Sequence, residues 1–118
     1  MGKPSRDKGK RAEREVAEIL RALDFPAARR GRQYSGSPES PDVVGIDGAH
    51  LEIKHRQAGN VAKWLDECAE DAGPELLPLL IHRSDRSVFK LTLYLGDVWR
   101  LYELLHKAQI QRYRDEFN

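Results

Sequence analysis

The amino-acid sequence predicts one α/β domain spanning residues 1–118, in which helices flank a mixed central β-sheet. A chain of 118 residues suits a single hydrophobic core. Hydrophobic residues make up 40% of it, which is enough for a core and too many for a disordered chain. Apolar patterns follow in the order helix, three strands, helix, two strands, helix. Adjacent strands early in the chain and helix-separated strands later are typical of a mixed sheet.

The first third of the chain predicts a helix, a short strand and a loop. Residues 1–6 are expected to form a flexible basic arm, and a helix is expected over about 7–24. Its apolar stripe consists of Ala12, Val16, Ile19, Leu20 and Leu23. The Asp-Phe-Pro sequence at 24–26 ends the helix, because a proline disfavours helical geometry in the preceding residue. A basic extended segment at 27–34 and a polar loop at 35–41 follow.

The second half of the chain predicts two helices and two strands. Asn60 is a suitable N-cap for a helix over about 61–72, which a Gly-Pro pair ends. Residues 76–82 are an apolar run typical of a buried strand, and 87–95 alternate as a further strand. Asp97 is expected to cap the final helix. The apolar face of that helix consists of Val98, Leu101, Leu105 and Ala108.

Charge is distributed unevenly although the net charge is only +1. Residues 1–34 carry ten Lys/Arg and five Asp/Glu, whereas residues 35–75 carry three Lys/Arg and nine Asp/Glu. Residues 76–118 carry seven basic and five acidic residues. Taken alone, the basic segment is an ordinary solvated terminus. Beside an acidic centre, it also fits a protein whose basic groups contact phosphates around a metal site.

Several classes of protein are disfavoured by the sequence. No apolar run approaches the roughly 20 residues of a membrane span, and no segment of signal-peptide type follows the basic N-terminus. We therefore expect a cytoplasmic protein without a membrane partner. Cys68 is the only cysteine, and the four histidines form no HExxH or paired cluster. No Walker-type phosphate loop is present, so no nucleotide cofactor is expected.

A hairpin that carries acidic and basic side chains is the strongest candidate for a functional site. Strands are expected at Val43–Ile46 and His50–Lys54, joined by an Asp-Gly turn. Asp42 precedes the first strand, while Glu52 and Lys54 leave the same face of the second. In a charged chain, such a pattern is often only a surface salt bridge.

The alternative to a surface salt bridge is a metal site that hydrolyses a phosphodiester. This reaction needs an activated water and stabilised charge, and a divalent cation held by carboxylates provides both. Asp42 and Glu52 would bind a hard ion such as Mg²⁺, with the carbonyl oxygen of Ile53 as a third ligand. The Lys54 ammonium would orient the attacking water or stabilise charge on the phosphate.

The hairpin register decides whether these side chains meet. A plain two-residue turn would place Asp42 opposite Ile53, facing away from Glu52. A three-residue loop with a bulge would place Asp42 opposite Lys54 and bring all three polar side chains to one face. The metal-site interpretation therefore predicts a bulge or an irregular strand start at Pro41-Asp42.

One acidic residue of the first helix could join the site. Glu13 lies at the edge of the apolar stripe, beside Leu20 on the helical wheel, so it could point inward. The alternative for a single helical glutamate is a surface ion pair with a residue four positions away.

Several short motifs occur together in one order along the chain. They are Lys8-Gly9, Glu13-Arg14, the basic RRGRQ segment at 29–33, Ser35-Gly36-Ser37, Pro41-Asp42 and Glu52-Ile53-Lys54. This series resembles the archaeal-type Holliday junction resolvases, including phage-encoded relatives, of the PD-(D/E)xK nuclease superfamily. The resemblance covers roughly residues 8–58 in motif and order. Beyond them, only the layout of a helix, two strands and a helix agrees.

The resemblance implies a PD-(D/E)xK nuclease-like fold and a metal-dependent active site. The residues it implies as catalytic are Glu13, Asp42, Glu52, Lys54 and, at the active-site loop, Ser35. The ion would be Mg²⁺, which Mn²⁺ could replace, held by Glu13, Asp42, Glu52 and the carbonyl of Ile53. The residues expected to contact DNA are Lys8, Lys10, Arg11, Arg14, Arg30, Arg32, His55 and Arg56. Arg30 and Arg32 are alternatives for the key basic-strand position.

The resemblance also implies a substrate and an oligomeric state. Members of the family are homodimers that cut four-way DNA junctions, in a prokaryotic cell or a phage-infected host. The strand at 87–95 and the apolar stripe of the last helix are candidates for the dimer surface, although core packing is the ordinary reading of both. The alternatives are another nuclease of the superfamily, of repair or restriction type, and a non-catalytic DNA-binding protein of the same fold.

Overall fold

A computed structural model describes the backbone of residues 3–31 and 41–117 and the side chains from residue 7 onward within those ranges. The elements in chain order are α1 (Lys3–Ala22), β1 (Arg29–Arg30), β2 (Val43–Val44), β3 (Ala49–His55), α2 (Val61–Ala72), β4 (Leu77–Arg83), β5 (Lys90–Thr92), a 3₁₀ turn (Leu95–Asp97) and α3 (Val98–Phe117). The predicted order of helices and strands is confirmed.

The five strands form one mixed sheet in the order β1-β2-β3-β4-β5. The pairs β1/β2, β2/β3 and β4/β5 are antiparallel. Strands β3 and β4 are parallel along seven residue pairs, from Ala49↔Leu77 to His55↔Arg83, and α2 connects them. The expected α/β architecture, a mixed sheet flanked by helices, is therefore confirmed. Strand β3 is central, which fixes the direction of every side chain along it.

The two faces of the sheet are covered by different helices. On one face, Leu51 and Ile53 of β3 belong to the core cluster that includes Ala12 and Val16 of α1. On the other face, α2 covers His50, whose carbonyl accepts a hydrogen bond from the Cys68 thiol. Because successive side chains of a strand point to opposite faces, Glu52 and Lys54 share the face of His50.

Helix α1 is longer at its start than expected. It begins at Lys3 rather than near residue 7, which is consistent with Pro4 because proline is tolerated in a first helical turn. As predicted, the helix ends before the Asp-Phe-Pro sequence. Asp24 adopts a left-handed conformation with φ of 77°, and the Phe25 amide donates to the Leu20 carbonyl, as in a Schellman motif.

The β2–β3 hairpin has neither of the two registers considered from the sequence. Those registers would pair Val43 with Glu52 or with Ile53, whereas Val43 pairs with Leu51. The chain leaves the ladder early because Gly45, with φ of +95°, packs on the backbone of Ala27. A Cβ at this position would lie 2.0 Å from the Ala27 carbonyl oxygen, so only glycine fits there.

The start of β2 is irregular, as the metal-site interpretation predicted. The ladder stops at Val43, and the Asp42 amide donates to the Leu51 carbonyl at 3.0 Å. The amide of Ile53 donates to Asp42 Oδ2 at 2.9 Å. A carboxylate oxygen thus accepts the hydrogen bond that a neighbouring backbone carbonyl would accept in a regular sheet.

The middle elements match their predicted positions closely. Asn60 caps α2, since its side chain accepts a hydrogen bond from the Lys63 amide at 3.0 Å. Gly73, with φ of 72°, ends the helix. Strand β4 lies one residue later than the predicted 76–82 and is buried over its first five residues.

The last elements differ from the prediction. Strand β5 covers three residues instead of the nine expected at 87–95, because it pairs with β4 alone and the chain then forms the 3₁₀ turn. Asp97 ends that turn, and its carboxylate accepts from Arg100 of α3 at 3.3 Å. Within α3, all of which the structure describes, no residue is fully buried. Core packing of its expected apolar face is therefore wrong for Val98 and Leu105, which are almost half exposed.

Candidate functional site

Three acidic side chains lie near enough to interact electrostatically where the β2 ladder stops. The pKa of Asp42 is raised from 3.8 to about 7, chiefly by burial, then by the charge of Glu52 and, to a smaller extent, by the charge of Glu13. The hydrogen bond from the Ile53 amide partly opposes this shift by stabilising the carboxylate. The structure thus brings together the three carboxylates that the sequence selected, in a place where they repel one another.

The central position of β3 explains why Glu52 and Lys54 are well placed. Both side chains leave the face that α2 partly covers, and both are half-buried. The expected role of Ile53 was as a ligand through its carbonyl oxygen. The contact that the structure describes is through the amide, which holds Asp42 in position.

Glu13 points inward, as its place on the helical wheel predicted. It is 8% exposed, and its Oε1 accepts a hydrogen bond from Arg30 Nε at 2.8 Å. The alternative, a surface ion pair four positions away on α1, is not what the structure has. Arg30 of β1 therefore reaches the acidic cluster. Arg32 and Ser35, which the sequence also selected, lie outside the described residues.

A second group of possible metal ligands also contains Glu52, and it was not predicted from the sequence. His50 is 2% exposed, and its Nε2 lies 2.8 Å from Glu52 Oε1. One ligand atom each from His50, Glu52 and Asp71 of α2 lie within 4.8 Å of one another, so this buried group could hold a metal ion. Neither an HExxH motif nor paired histidines, the patterns considered in the sequence, would reveal this group, because it combines one histidine with two acidic residues. The spacing of His50 from Glu52, two residues apart on a strand, was an available signal.

The basic residues expected to contact DNA fall into two sets. Lys10, Arg11 and Arg14 are exposed on α1. Arg14 also lines an open surface groove together with Arg21, Arg29 and Arg30. These side chains form a basic surface that extends to Arg30, the residue that pairs with Glu13.

The second set lies at the carboxyl ends of β3 and β4. Lys8 and His55 both contact Asp85, which precedes β5 in a turn. Arg56 is exposed, and its amide donates to the carbonyl of Arg83. The contacts of Asp85 were not foreseen, because they join residues that are far apart in the sequence.

Comparisons with protein-family models, curated proteins and solved structures found no match for this chain. None of the helices in the described part of the chain has the length and apolar composition needed to cross a bilayer.

The raised pKa of Asp42 predicts a pH-dependent effect of removing its charge. Between pH 4 and 7 the unfolded chain loses this proton while the folded protein retains it, so stability falls as pH rises through this window and stays low above it. We expect Asp42→Asn, measured in EDTA, to raise the melting temperature by a few degrees at pH 8 and by less at pH 5.

The matched control is Asp47→Asn, which removes the same charge from an exposed turn and should change the melting temperature little at either pH. A lower melting temperature for Asp42→Asn at pH 8 would contradict this prediction. It would mean that the hydrogen bond from the Ile53 amide to Asp42 stabilises the fold more than the repulsion among the carboxylates destabilises it.

Metal titration will distinguish the two donor groups that share Glu52. Mg²⁺ prefers oxygen ligands, so its stabilising effect should be lost in Asp42→Asn and retained in Asp71→Asn. For the wild type, Mg²⁺ at 100 times its Kd should add about 2.7 kcal/mol to the free energy of unfolding. The measurement is denaturation with and without the ion. Loss in Asp71→Asn with retention in Asp42→Asn would instead place the ion at His50, Glu52 and Asp71.

Proposed function

We propose that this protein is a metal-dependent DNA endonuclease of the PD-(D/E)xK type that resolves four-way junctions. The observation that carries the proposal is the convergence of Asp42, Glu52 and Glu13 at the irregular start of β2, with Lys54 on the same strand face as Glu52. These residues come from α1, the position just before β2, and β3, and their order along the chain is the order of the motifs in the resolvases that the sequence resembles.

The acidic cluster suits a hard divalent cation such as Mg²⁺ or Mn²⁺. Its donors are oxygens, and the raised pKa of Asp42 reflects buried, mutually repelling carboxylates that a cation would stabilise. Asp42, Glu52 and Glu13 would hold the ion, which lowers the pKa of bound water and neutralises charge on the phosphate.

The protein's own groups would position the reaction. The Ile53 amide fixes Asp42, and Arg30 fixes Glu13 through Oε1. Lys54 would orient the attacking water or stabilise the negative charge that develops on the phosphate. His50, bonded to Glu52, would keep that carboxylate in one orientation.

DNA binding would rest mainly on contacts to the phosphate backbone. The exposed cations of α1 and the groove lined by Arg14, Arg29 and Arg30 provide a basic surface beside the acidic cluster. Contacts to phosphates position a protein without reading sequence. The shape of the junction would therefore dominate recognition.

An aromatic stripe on the outer face of α3 supports the proposed homodimer. Residues at helical spacing along this face are Trp99, Tyr102, His106, Ile110, Tyr113 and Phe117. Trp99 is 74% exposed, and successive rings contact one another along the helix, with centroids 5.9 Å apart for Trp99 and Tyr102 and 5.8 Å apart for Tyr102 and His106. An exposed apolar stripe along a 20-residue helix is typical of an association surface.

A second copy is the partner that suits this stripe. Two identical stripes can pack against each other in an isologous contact, and a two-fold dimer matches a two-fold junction with one active site for each cut. The proposed contact uses the outer face of the last helix, whereas the sequence suggested either the strand at 87–95 or the apolar stripe of Val98, Leu101, Leu105 and Ala108.

The activity is tested with a labelled immobile four-way junction and a linear duplex of matching arm sequence. We expect paired, symmetric nicks in the junction with Mg²⁺, none with EDTA, and a loss of at least about 100-fold in rate for Asp42→Asn and Glu52→Gln. Both variants should retain junction binding, since they remove negative charge near the phosphates.

The control variant for cleavage is Asp47→Asn, which should cut at the wild-type rate. Equal cutting of the duplex would favour a general nuclease of repair or restriction type. Binding of the junction without metal-dependent cutting would favour the non-catalytic DNA-binding alternative.

The dimer is tested by a charge placed in the aromatic stripe. Tyr102→Lys should weaken self-association at least about tenfold in analytical ultracentrifugation, because it buries an unpaired charge in the contact. Gln111→Lys places the same charge off the stripe on α3, where Asp115 can pair with it, and should leave association unchanged. A wild-type protein that stays monomeric at 100 times the protein concentration of the cleavage assay would contradict the dimer.

A further inference from the structure

An open pocket of about 430 Å³ lies at the carboxyl ends of β3 and β4, beside the first turns of α1. Its lining is polar and mostly basic, and consists of Lys8, Arg11, Glu15, His55, Arg83 and Asp85. Three separate elements and a turn supply these side chains. None of them belongs to the acidic cluster of Asp42, Glu52 and Glu13.

One carboxylate oxygen lies between two basic side chains of this pocket. Asp85 Oδ1 is 2.7 Å from Lys8 Nζ and 2.9 Å from His55 Nε2. The hydrogen bond from Lys8 lowers the pKa of Asp85, so this side chain is an anion at neutral pH. Asp85 is exposed, and its backbone amide donates to Gln57 Oε1 at 2.7 Å. The carboxylate is therefore held at the pocket by the groups that would bind another anion.

Two buried nitrogens of the pocket residues are left without a hydrogen bond in the described part of the chain. They are His55 Nδ1 and Arg83 Nε. The Arg83 guanidinium already contacts Glu15 through Nη2 at 3.0 Å and stacks over the ring of Phe89 at 4.1 Å. A buried donor without a partner costs free energy, and a phosphate oxygen could accept a hydrogen bond from Arg83 Nε.

We propose that this pocket binds a phosphate of the DNA backbone, and that the Asp85 carboxylate occupies the anion position until the phosphate displaces it. The proposal rests on the proposed function in taking DNA as the source of the phosphate. Lys8, His55 and Arg83 are the binding residues. Asp85 lies between Ser84 and Ser87 in a turn closed by their mutual hydrogen bonds, so its side chain can rotate away without opening the turn.

The substitution Asp85→Asn tests this arrangement directly. It removes the competing charge while keeping the size of the side chain, and we expect duplex DNA to bind about three to ten times more tightly at low salt. The slope of log affinity against log salt should steepen by about one unit, because no displaced carboxylate then takes up a cation to offset the one released from the phosphate. Binding is measured in EDTA, so the result does not depend on cleavage.

Asp47→Asn is the matched control, because it removes one aspartate charge from another exposed turn. It should strengthen binding less than about twofold, through net charge alone. Arg83→Gln, added to Asp85→Asn, should return the affinity to the wild-type value or below it. Equal effects of Asp85→Asn and Asp47→Asn would overturn the proposal.

A titration with inorganic phosphate separates this proposal from the proposed function. The readout is the Nε–H signal of Arg83 in a nitrogen-15 correlation spectrum, with Arg83→Gln used to assign it. A shift that saturates at lower phosphate in Asp85→Asn than in the wild type supports the pocket, even if no variant binds DNA and the proposed function fails. Absence of a shift in both proteins would overturn the pocket even if the protein cuts junctions.

Discussion

The hydrogen bond from the Ile53 amide to Asp42 is the contact on which the site depends. Strand β3 is the central strand of the sheet, so its amide is a fixed donor, and the side chain that accepts from it is fixed as well. Because the acceptor is a carboxylate and not a carbonyl, the ladder ends at this point. The sheet edge then opens where Glu52 and Glu13 can approach, and the acidic cluster is a consequence of that interrupted strand.

The cluster concentrates negative charge that the fold only partly offsets. Arg30 pairs with Glu13, His50 contacts Glu52, and Asp42, which accepts from the Ile53 amide, has a raised pKa. Charged side chains with only a structural role usually form ion pairs. A cluster in which carboxylates still repel one another is more typical of a site that binds a cation or a substrate. The basic surfaces on α1 and β1 lie beside it, and their opposite sign suits the approach of a polyanion.

The parts of this protein that could be predicted from sequence are those with local causes. Asn60 and Gly73 mark the ends of α2, and Asp24 marks the end of α1, because caps and turns depend on neighbouring residues. The hairpin register could not be predicted, since it depends on the contact of Gly45 with the distant Ala27 backbone. Asp71 could not be connected to His50 without the packing of α2 on the sheet. In α3 the sequence has two apolar faces, and only the structure distinguishes the outer one.

Glu52 belongs to two groups of possible metal ligands, so ions at the two groups would compete for it. One group supplies only oxygen ligands, and the other supplies an imidazole nitrogen as well. Ions that prefer nitrogen would draw Glu52 towards His50 and Asp71, away from Asp42. A softer ion at the second group would then remove a ligand from the first. For the proposed nuclease, the composition of the surrounding metal pool, and not only its concentration, would then set the fraction of molecules that are competent for cleavage.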